Sequence, residues 1–402
     1  MKYVCPVCHG VSAHPGKCVC GMANKISYFE KELSLNKFNE KADLNIISLL
    51  LHSCGYSVAL EQLCLGLDDM GYKLNIISHE DKKIDFRWMS KRFKRLVKTR
   101  YSQTDKTIIF TPPIFMRKNH KIGTTYAYTM FETDRISDED VQSLSIFDKV
   151  IVTCEHNIKA FRNSGVSLPI ETAYLSIDFD FWDKPKIKHE GFVFFSHGSH
   201  SVRKGTDLME MAFVKAFPKN KNVKLIIKDT PAGLAKYKLQ SKDQRIIRIV
   251  DNVSPEELRD MILSSDCGLF PSRGEGWGMG AMEFMASGLP VILTDYAGLG
   301  EMCNSKYNYP LNVKIMAESI GYYGKMTSKT TNIGKWAEPD LDHLIKLMKE
   351  IYNNQDKANK KGNLAKKWIR KTFNRESQAI KIISILGLDT TKQLLFIKNP
   401  LR

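Results

Sequence analysis

The stretch Phe270-Pro-Ser-Arg-Gly-Glu-Gly-Trp-Gly-Met-Gly-Ala-Met-Glu-Phe-Met-Ala-Ser-Gly-Leu-Pro-Val-Ile-Leu-Thr294 decides the fold. It reads as a strand end, a glycine-rich loop, a helix and a second strand. Gly274, Gly276, Gly278 and Gly280 let backbone amides approach a ligand, and the helix opening near Met279 offers unpaired N–H groups to a phosphate. Glu275 and Glu283 stand eight positions apart, one before the helix and one inside its first turns. Both can face one cleft, where carboxylates accept hydrogen bonds from sugar or ribose hydroxyls.

Outward from this stretch the same alternation continues. Phe192–Ser196, Val223–Lys228, Ile246–Val250, Cys267–Phe270 and Val291–Thr294 read as strands with helices between them. Ser254-Pro255-Glu256-Glu257 places Ser at an N-cap, Pro at N1 and Glu at N3, a capping box ahead of Leu258, Met261 and Ile262. In the first half, Leu44–Leu51 is a buried-strand run, Gly55 breaks it, and Val58–Met70 carries a helical stripe at Leu60, Leu63, Cys64 and Leu67. Lys73–Ser78, Thr107–Phe110, Gly123–Thr129 and Lys149–Thr153 supply further strands. The pattern predicts an α/β protein of two Rossmann-like, doubly wound domains facing a cleft. The boundaries are 40–185 for the first domain and 186–370 for the second. A helix in 371–402 crosses back to the first.

The 402 residues suit two or three domains at roughly 150 residues each. With 43% hydrophobic and 26% charged residues, disorder, collagen and a small disulfide scaffold are excluded. The net charge of +16 favours polyanionic surroundings such as nucleic acid, an acidic membrane face or phosphorylated substrates. No run reaches the roughly 18 apolar residues of a membrane span, and no signal-peptide core follows Met1, so a cytoplasmic location is expected.

Four of the nine cysteines crowd the start as Cys5-Pro-Val-Cys8 and Cys18-Val-Cys20. Thiolates so spaced suit tight knuckles around one structural Zn²⁺ within a small segment, residues 1–28. The second pair is tighter than in a usual ribbon, and His9 or His14 is a possible replacement ligand. Cys54, Cys64, Cys154, Cys267 and Cys303 stand singly in apolar surroundings and read as reduced core residues.

The 270–294 stretch resembles the E-x7-E signature of GT-B glycosyltransferases, specifically the large retaining group often called family 4. The resemblance extends through Ser254–Leu258, Gly288-Leu-Pro-Val291 and the glycine–acid loop Gly298–Glu301, and spans about residues 44–385. It implies a GT-B fold and transfer of a sugar from a nucleotide-diphosphate donor, by default a UDP-sugar, with retention and without a catalytic metal. Glu275 would hold hydroxyls of the transferred sugar and Glu283 the ribose, while amides of Gly278, Met279 and Gly280 would meet the sugar or pyrophosphate. Gly55 would allow close backbone approach at the cleft floor, with His52 beside it.

Gly198-Ser-His-Ser-Val-Arg-Lys-Gly205 resembles the family's cationic loop. Lys204 matches the lysine that neutralises the diphosphate. The arginine normally several residues earlier is missing, and Arg203 or His200 is the replacement on offer. Asp178-Phe-Asp180 resembles the interdomain junction rather than a metal-binding D-x-D. Thr129–Asp134 lies where relatives often carry a catalytic or sugar-contacting histidine. Here the polar groups are Glu132 and Asp134, for which helix capping is the competing role. The acceptor would be a membrane or cell-envelope glycan or a modified nucleic-acid base.

Arg87–Arg100 holds seven basic residues and no acid. As a helix it sets Met89, Phe93, Leu96 and Val97 on one stripe, with most of the cations, and Trp88 among them, opposite. That face suits a polyanionic acceptor or surface, whether anionic membrane or nucleic acid. It also fits a plain solvated face. The alternative to an enzyme is therefore a zinc-dependent nucleic-acid-binding protein on a degenerate transferase scaffold.

Overall fold

The computed structural model describes residues 3–4, 11–12, 40–50, 54–79, 84–116, 123–231, 233, 237–319 and 333–392. Cys5, Cys8, Cys18, Cys20, His9, His14 and His52 lie outside them. Two short strands, β1 (Tyr3–Val4) and β2 (Val11–Ser12), pair antiparallel.

Two six-stranded parallel sheets carry the rest. The first contains β3 (Leu44–Ser48), β4 (Leu74–Ser78), β5 (Lys106–Phe110), β6 (Thr124–Thr129), β7 (Lys149–Val152) and β8 (Ile170–Thr172), in the order β4-β3-β5-β6-β7-β8. The second contains β9 (Phe192–His197), β10 (Val223–Asp229), β11 (Ile246–Val250), β12 (Cys267–Phe270), β13 (Val291–Thr294) and β14 (Tyr309–Leu311), in the order β11-β10-β9-β12-β13-β14. Central strands β3, β12 and β13 are buried throughout, as parallel strands covered by helices on both faces must be. In the second sheet the chain winds in opposite senses on either side of the β9–β12 pair. This switch point opens a crevice beyond the C-terminal ends of His197 and Phe270.

The capping box is formed: Ser254 Oγ accepts from Glu257 N–H and the Glu257 side chain accepts from the Ser254 backbone. Gly55 opens the helix Gly55–Asp69, which begins three residues before Val58. Two expectations for the basic stretch need correction. The basic helix is shorter than Arg87–Arg100. It runs Lys91–Lys98, with Ser90 as N-cap. Its stripe is taken by the core, with Met89, Phe93 and Val97 buried. Trp88 is not among the cations but buried, with its ring 6.0 Å from that of Phe93. Arg92 is neutralised by Asp68 and Asp69, whereas Lys91, Arg95 and Lys98 are exposed.

The last described helix, Arg375–Leu386, packs on Gly55–Asp69. A Cβ at Gly66 would stand 2.8 Å from the Arg375 carbonyl oxygen, so the two backbones nearly touch. Arg375 pairs with Asp178 and donates to Gln62. Asp178 also accepts the Phe181 N–H, capping the short helix Phe179–Trp182. An antiparallel pair unforeseen in the sequence, β15 (Val313–Glu318) with β16 (Lys335–Pro339), extends from the second domain toward the first.

Candidate functional site

The crevice is built from two loops. The first leaves β9 at His197, passes Gly198 at φ +133° and reaches Gly205 at φ +69°, the N-cap of helix Thr206–Ala216. Asp229, at the end of β10, accepts the His200 N–H at 3.0 Å and pairs with Arg248, which fixes the base of this loop. The second loop follows β12. Its Arg273 N–H donates to the Arg203 carbonyl at 2.7 Å, and the Arg273 guanidinium grips Asp207 and Glu338.

The joined loops face Glu275 with two cations. Lys204 Nζ is 2.7 Å and Arg203 Nη1 3.0 Å from Glu275 Oε1. Burial alone would raise the Glu275 carboxyl, but Arg203 and Lys204 outweigh it and hold the pKa down at about 2. Arg203 also donates to the Gly274 carbonyl at 2.5 Å. It thus supplies charge beside Lys204 while remaining tied to the loop.

His200 does not replace the missing arginine. Burial lowers its pKa to about 3, so it is neutral near pH 7. Thr206 Oγ1 gives its single proton to the Ser201 carbonyl at 3.1 Å and lies 3.1 Å from His200 Nδ1. The consistent tautomer carries its proton on Nδ1 and leaves Nε2 as an acceptor.

Glu283 lies in the second turn of helix Met279–Ala286, which starts at Gly278 with φ +110°. The first N–H groups of that helix have no intrahelical acceptor. Glu283 Oε2 is 2.9 Å from His197 Nε2. Five enclosed side-chain atoms on the two loops and the following helix lack an aligned hydrogen-bond partner: His197 Nε2, Ser199 Oγ, His200 Nε2, Glu275 Oε1 and Glu283 Oε2. Glu275 Oε1 belongs to the ion pairs above by distance, although not by alignment. Enclosed polar atoms without an aligned partner are costly, and such atoms lining a crevice suit a polar ligand.

The glycines divide their tasks differently from the expectation. A Cβ at Gly274 would overlap the Glu132 carbonyl oxygen, and one at Gly276 would overlap Met130. These two admit the neighbouring domain rather than a ligand. Thr153 Oγ1 reinforces that contact by donating to the Gly276 carbonyl at 2.6 Å. Only Gly278, by its φ, and Gly280 shape the helix start. Gly55 has no atom of the described residues within 4 Å of a notional Cβ, so packing among them does not require glycine there.

Glu132 is half-buried on the segment that abuts Gly274. Asp134 accepts the Lys335 N–H at 2.6 Å, and its own N–H donates to the Lys335 carbonyl at 3.0 Å. The helix cap expected of Glu132 or Asp134 falls instead to Ser137. Glu301, in the second glycine–acid loop, reaches across to accept the Glu155 N–H at 2.8 Å at the start of helix Glu155–Asn163. The sequence reading missed His197 and Ser199. His197 falls one residue past the predicted strand, and its position at a strand's C-terminal end was the available signal. Among the described residues no group of three or more His, Cys, Asp or Glu is arranged to hold a metal ion, and no helix is long and apolar enough to cross a membrane.

Two parallel Rossmann-like domains meeting at such a crevice are the GT-B architecture of glycosyltransferases. Residues 178–319, which contain both loops, match the family model of glycosyl transferases group 1. The fold is similar to that of HepE from Anabaena, solved in complex with UDP-glucose, with a TM-score of 0.62 and 11% identity over 86% of this chain and 99% of that one. Sucrose-phosphate synthase from Thermosynechococcus elongatus gives a TM-score of 0.62 at 13% identity, covering 89% and 99% of the two chains. WaaG, a glycosyltransferase involved in lipopolysaccharide biosynthesis, gives 0.56 at 12% identity, covering 85% and 99%. No curated protein sequence matches the chain.

Proposed function

We propose that the protein is a glycosyltransferase that moves a sugar from a nucleotide-diphosphate donor, first of all a UDP-sugar, to an acceptor hydroxyl with retention of configuration. The observation that carries this reading is the charged crevice in which Lys204 and Arg203 face Glu275 beside the start of helix Met279–Ala286, with Glu283 enclosed in its second turn. Lys204 and the helix N–H groups supply positive potential for a diphosphate, and Glu283 supplies an acceptor for ribose hydroxyls.

In the reaction the bond between the anomeric carbon and the diphosphate oxygen breaks, its electron pair going to the diphosphate. The acceptor oxygen forms its bond on the same face and gives its proton to the departing oxygen. Glu275 is a poor nucleophile, because Arg203 and Lys204 hold its charge in ion pairs, so a glycosyl–enzyme intermediate on it is disfavoured. The fixed cations make a divalent ion unnecessary for the leaving group in this reading. Because WaaG acts in lipopolysaccharide biosynthesis, a cell-envelope glycan is the first acceptor to test.

The direct experiment measures melting temperature with UDP and GDP, then donor hydrolysis without acceptor, with and without a chelator. Stabilisation by a nucleoside diphosphate and chelator-resistant turnover of its sugar are expected. No response to either nucleotide overturns the reading. One structural zinc on Cys5, Cys8, Cys18 and Cys20 belongs to the same proposal and rests on their spacing alone.

A further inference from the structure

We infer that His197 is a positioning residue for Glu283, fixing which carboxylate oxygen meets the ligand; this rests on the nucleotide reading above. His197 is the last residue of β9, and its ring enters the start of helix Met279–Ala286 over Gly280. A Cβ at position 280 would stand 3.0 Å from His197 Nε2 and 2.8 Å from the Phe270 ring, so the glycine makes room for the imidazole. Phe270 holds the ring edge-on, with centroids 5.9 Å apart and planes at 88°.

Held there, Nε2 confronts one oxygen of Glu283. Oε2 is 2.9 Å away and enclosed, and neither atom has an aligned hydrogen-bond partner. The two atoms are at hydrogen-bonding distance without being aligned, so the bond forms once the ring turns its Nε2–H toward Oε2. With Oε2 facing the imidazole, Oε1 is the oxygen this inference assigns to a ligand hydroxyl. Anchoring Oε2 stops the carboxylate from rotating about its terminal torsion, which is otherwise soft. A pre-oriented acceptor discriminates strongly between a ligand that bears the hydroxyl and one that lacks it.

The test compares affinity of the full chain for UDP and for 2′,3′-dideoxy-UDP, in wild type, His197→Phe, His197→Gln and Glu283→Ala. Phe keeps the ring volume without a donor, and Gln restores an N–H near the place of Nε2. Wild type should favour UDP by about 10- to 100-fold, the range of one or two hydrogen bonds to a charged group. Glu283→Ala should bring the ratio near one, and His197→Phe should lower it at least fivefold. His197→Gln should return it to within about threefold of wild type. Melting temperatures establish that each variant is folded. Should His197→Phe fold poorly, the His197→Gln ratio decides alone, and a ratio as low as that of Glu283→Ala overturns the inference. A high wild-type ratio untouched by His197→Phe overturns the role of His197 and leaves that of Glu283 standing. A wild-type ratio near one overturns the ribose reading of Glu283 and this inference with it.

Discussion

Lys204 Nζ lies 2.7 Å from Glu275 Oε1, so the cation expected to meet a diphosphate is already paired with the carboxylate expected to meet a sugar. Between them they tie the two loops of the crevice into one charged unit, with Arg203 as third member. The arrangement makes the charge state of Glu275 a matter of stability as well as chemistry.

The folded Glu275 carboxyl titrates at about 2, against 4.5 when unperturbed. A depressed carboxyl stabilises the fold above its unfolded pKa, and the contribution is lost as pH falls from about 4.5 toward 2. Glu275→Gln should therefore destabilise the protein at pH 6 by about 3 kcal/mol or more, the scale of breaking a buried ion pair from one side. Urea unfolding at pH 6 and pH 3 should show the gap between variant and wild type narrowing at pH 3. A constant gap would contradict the ion-pair origin.

Lys204 and Glu283 should separate by ligand. Lys204→Ala should weaken UDP binding by about 1–3 kcal/mol and leave uridine unaffected, since only the diphosphate meets the cation. Glu283→Ala should weaken both by similar amounts. Calorimetric titration checks the pair, and equal loss of uridine affinity in both variants would refute the assignment.

Much of this frame was legible along the chain. The strands β12 and β13 are apolar runs broken only by Thr294 at the end, because both faces are covered, and Ser254–Glu257 carries its helix start within four residues. The edge strand β8 is only half-buried, and β14 carries Pro310, so neither has the buried-strand signature. In β15, Ile315 and Met316 are exposed, which removes any alternation to read. The Arg203–Glu275 pair joins residues far apart in sequence, brought together by the packing of Gly205 against Pro271 and by the Arg273–Arg203 backbone hydrogen bond. Trp88 looked cationic in company because its neighbours are; its burial depends on Phe93 in the following helix.

Glycines 274 and 276 should be intolerant of a side chain. Gly276→Ala forces a methyl group into Met130, and overpacking of this kind costs about 1–3 kcal/mol. Activity should fall more than the melting temperature suggests, because the same loop carries Glu275. Gly55→Ala meets no atom of the described residues and should leave stability within about 0.5 kcal/mol of wild type, as for other substitutions that meet no packing or capping feature.

The exposed cations of helix Lys91–Lys98 should show whether a polyanion docks there. Reversing Lys91, Arg95 and Lys98 while sparing the paired Arg92 should weaken binding to anionic vesicles or duplex DNA and flatten the salt dependence by about one per lost phosphate contact. UDP affinity should not change. Since Met89, Phe93 and Val97 are core residues, apolar insertion by this helix is not expected to contribute.

Purified protein should carry about one zinc per chain by the four-ligand rule, lost on replacing Cys5 and Cys8 together. Elemental analysis of wild type and variant measures this directly. A metal-free, fully stable wild type would remove the zinc proposal.

The seat of Gly276 has a mechanical consequence. Its carbonyl is held by Thr153 of the first domain, its α-carbon faces Met130, and the adjacent Trp277 stacks on Tyr174 with centroids 5.3 Å apart. The loop is thus gripped by the body it does not belong to. Any swing of one half of the molecule against the other must drag these atoms, so an angle between the halves becomes a displacement of Glu275, as a cam turns rotation into travel. Tryptophan emission from position 277 would then report that angle, making the loop its own gauge.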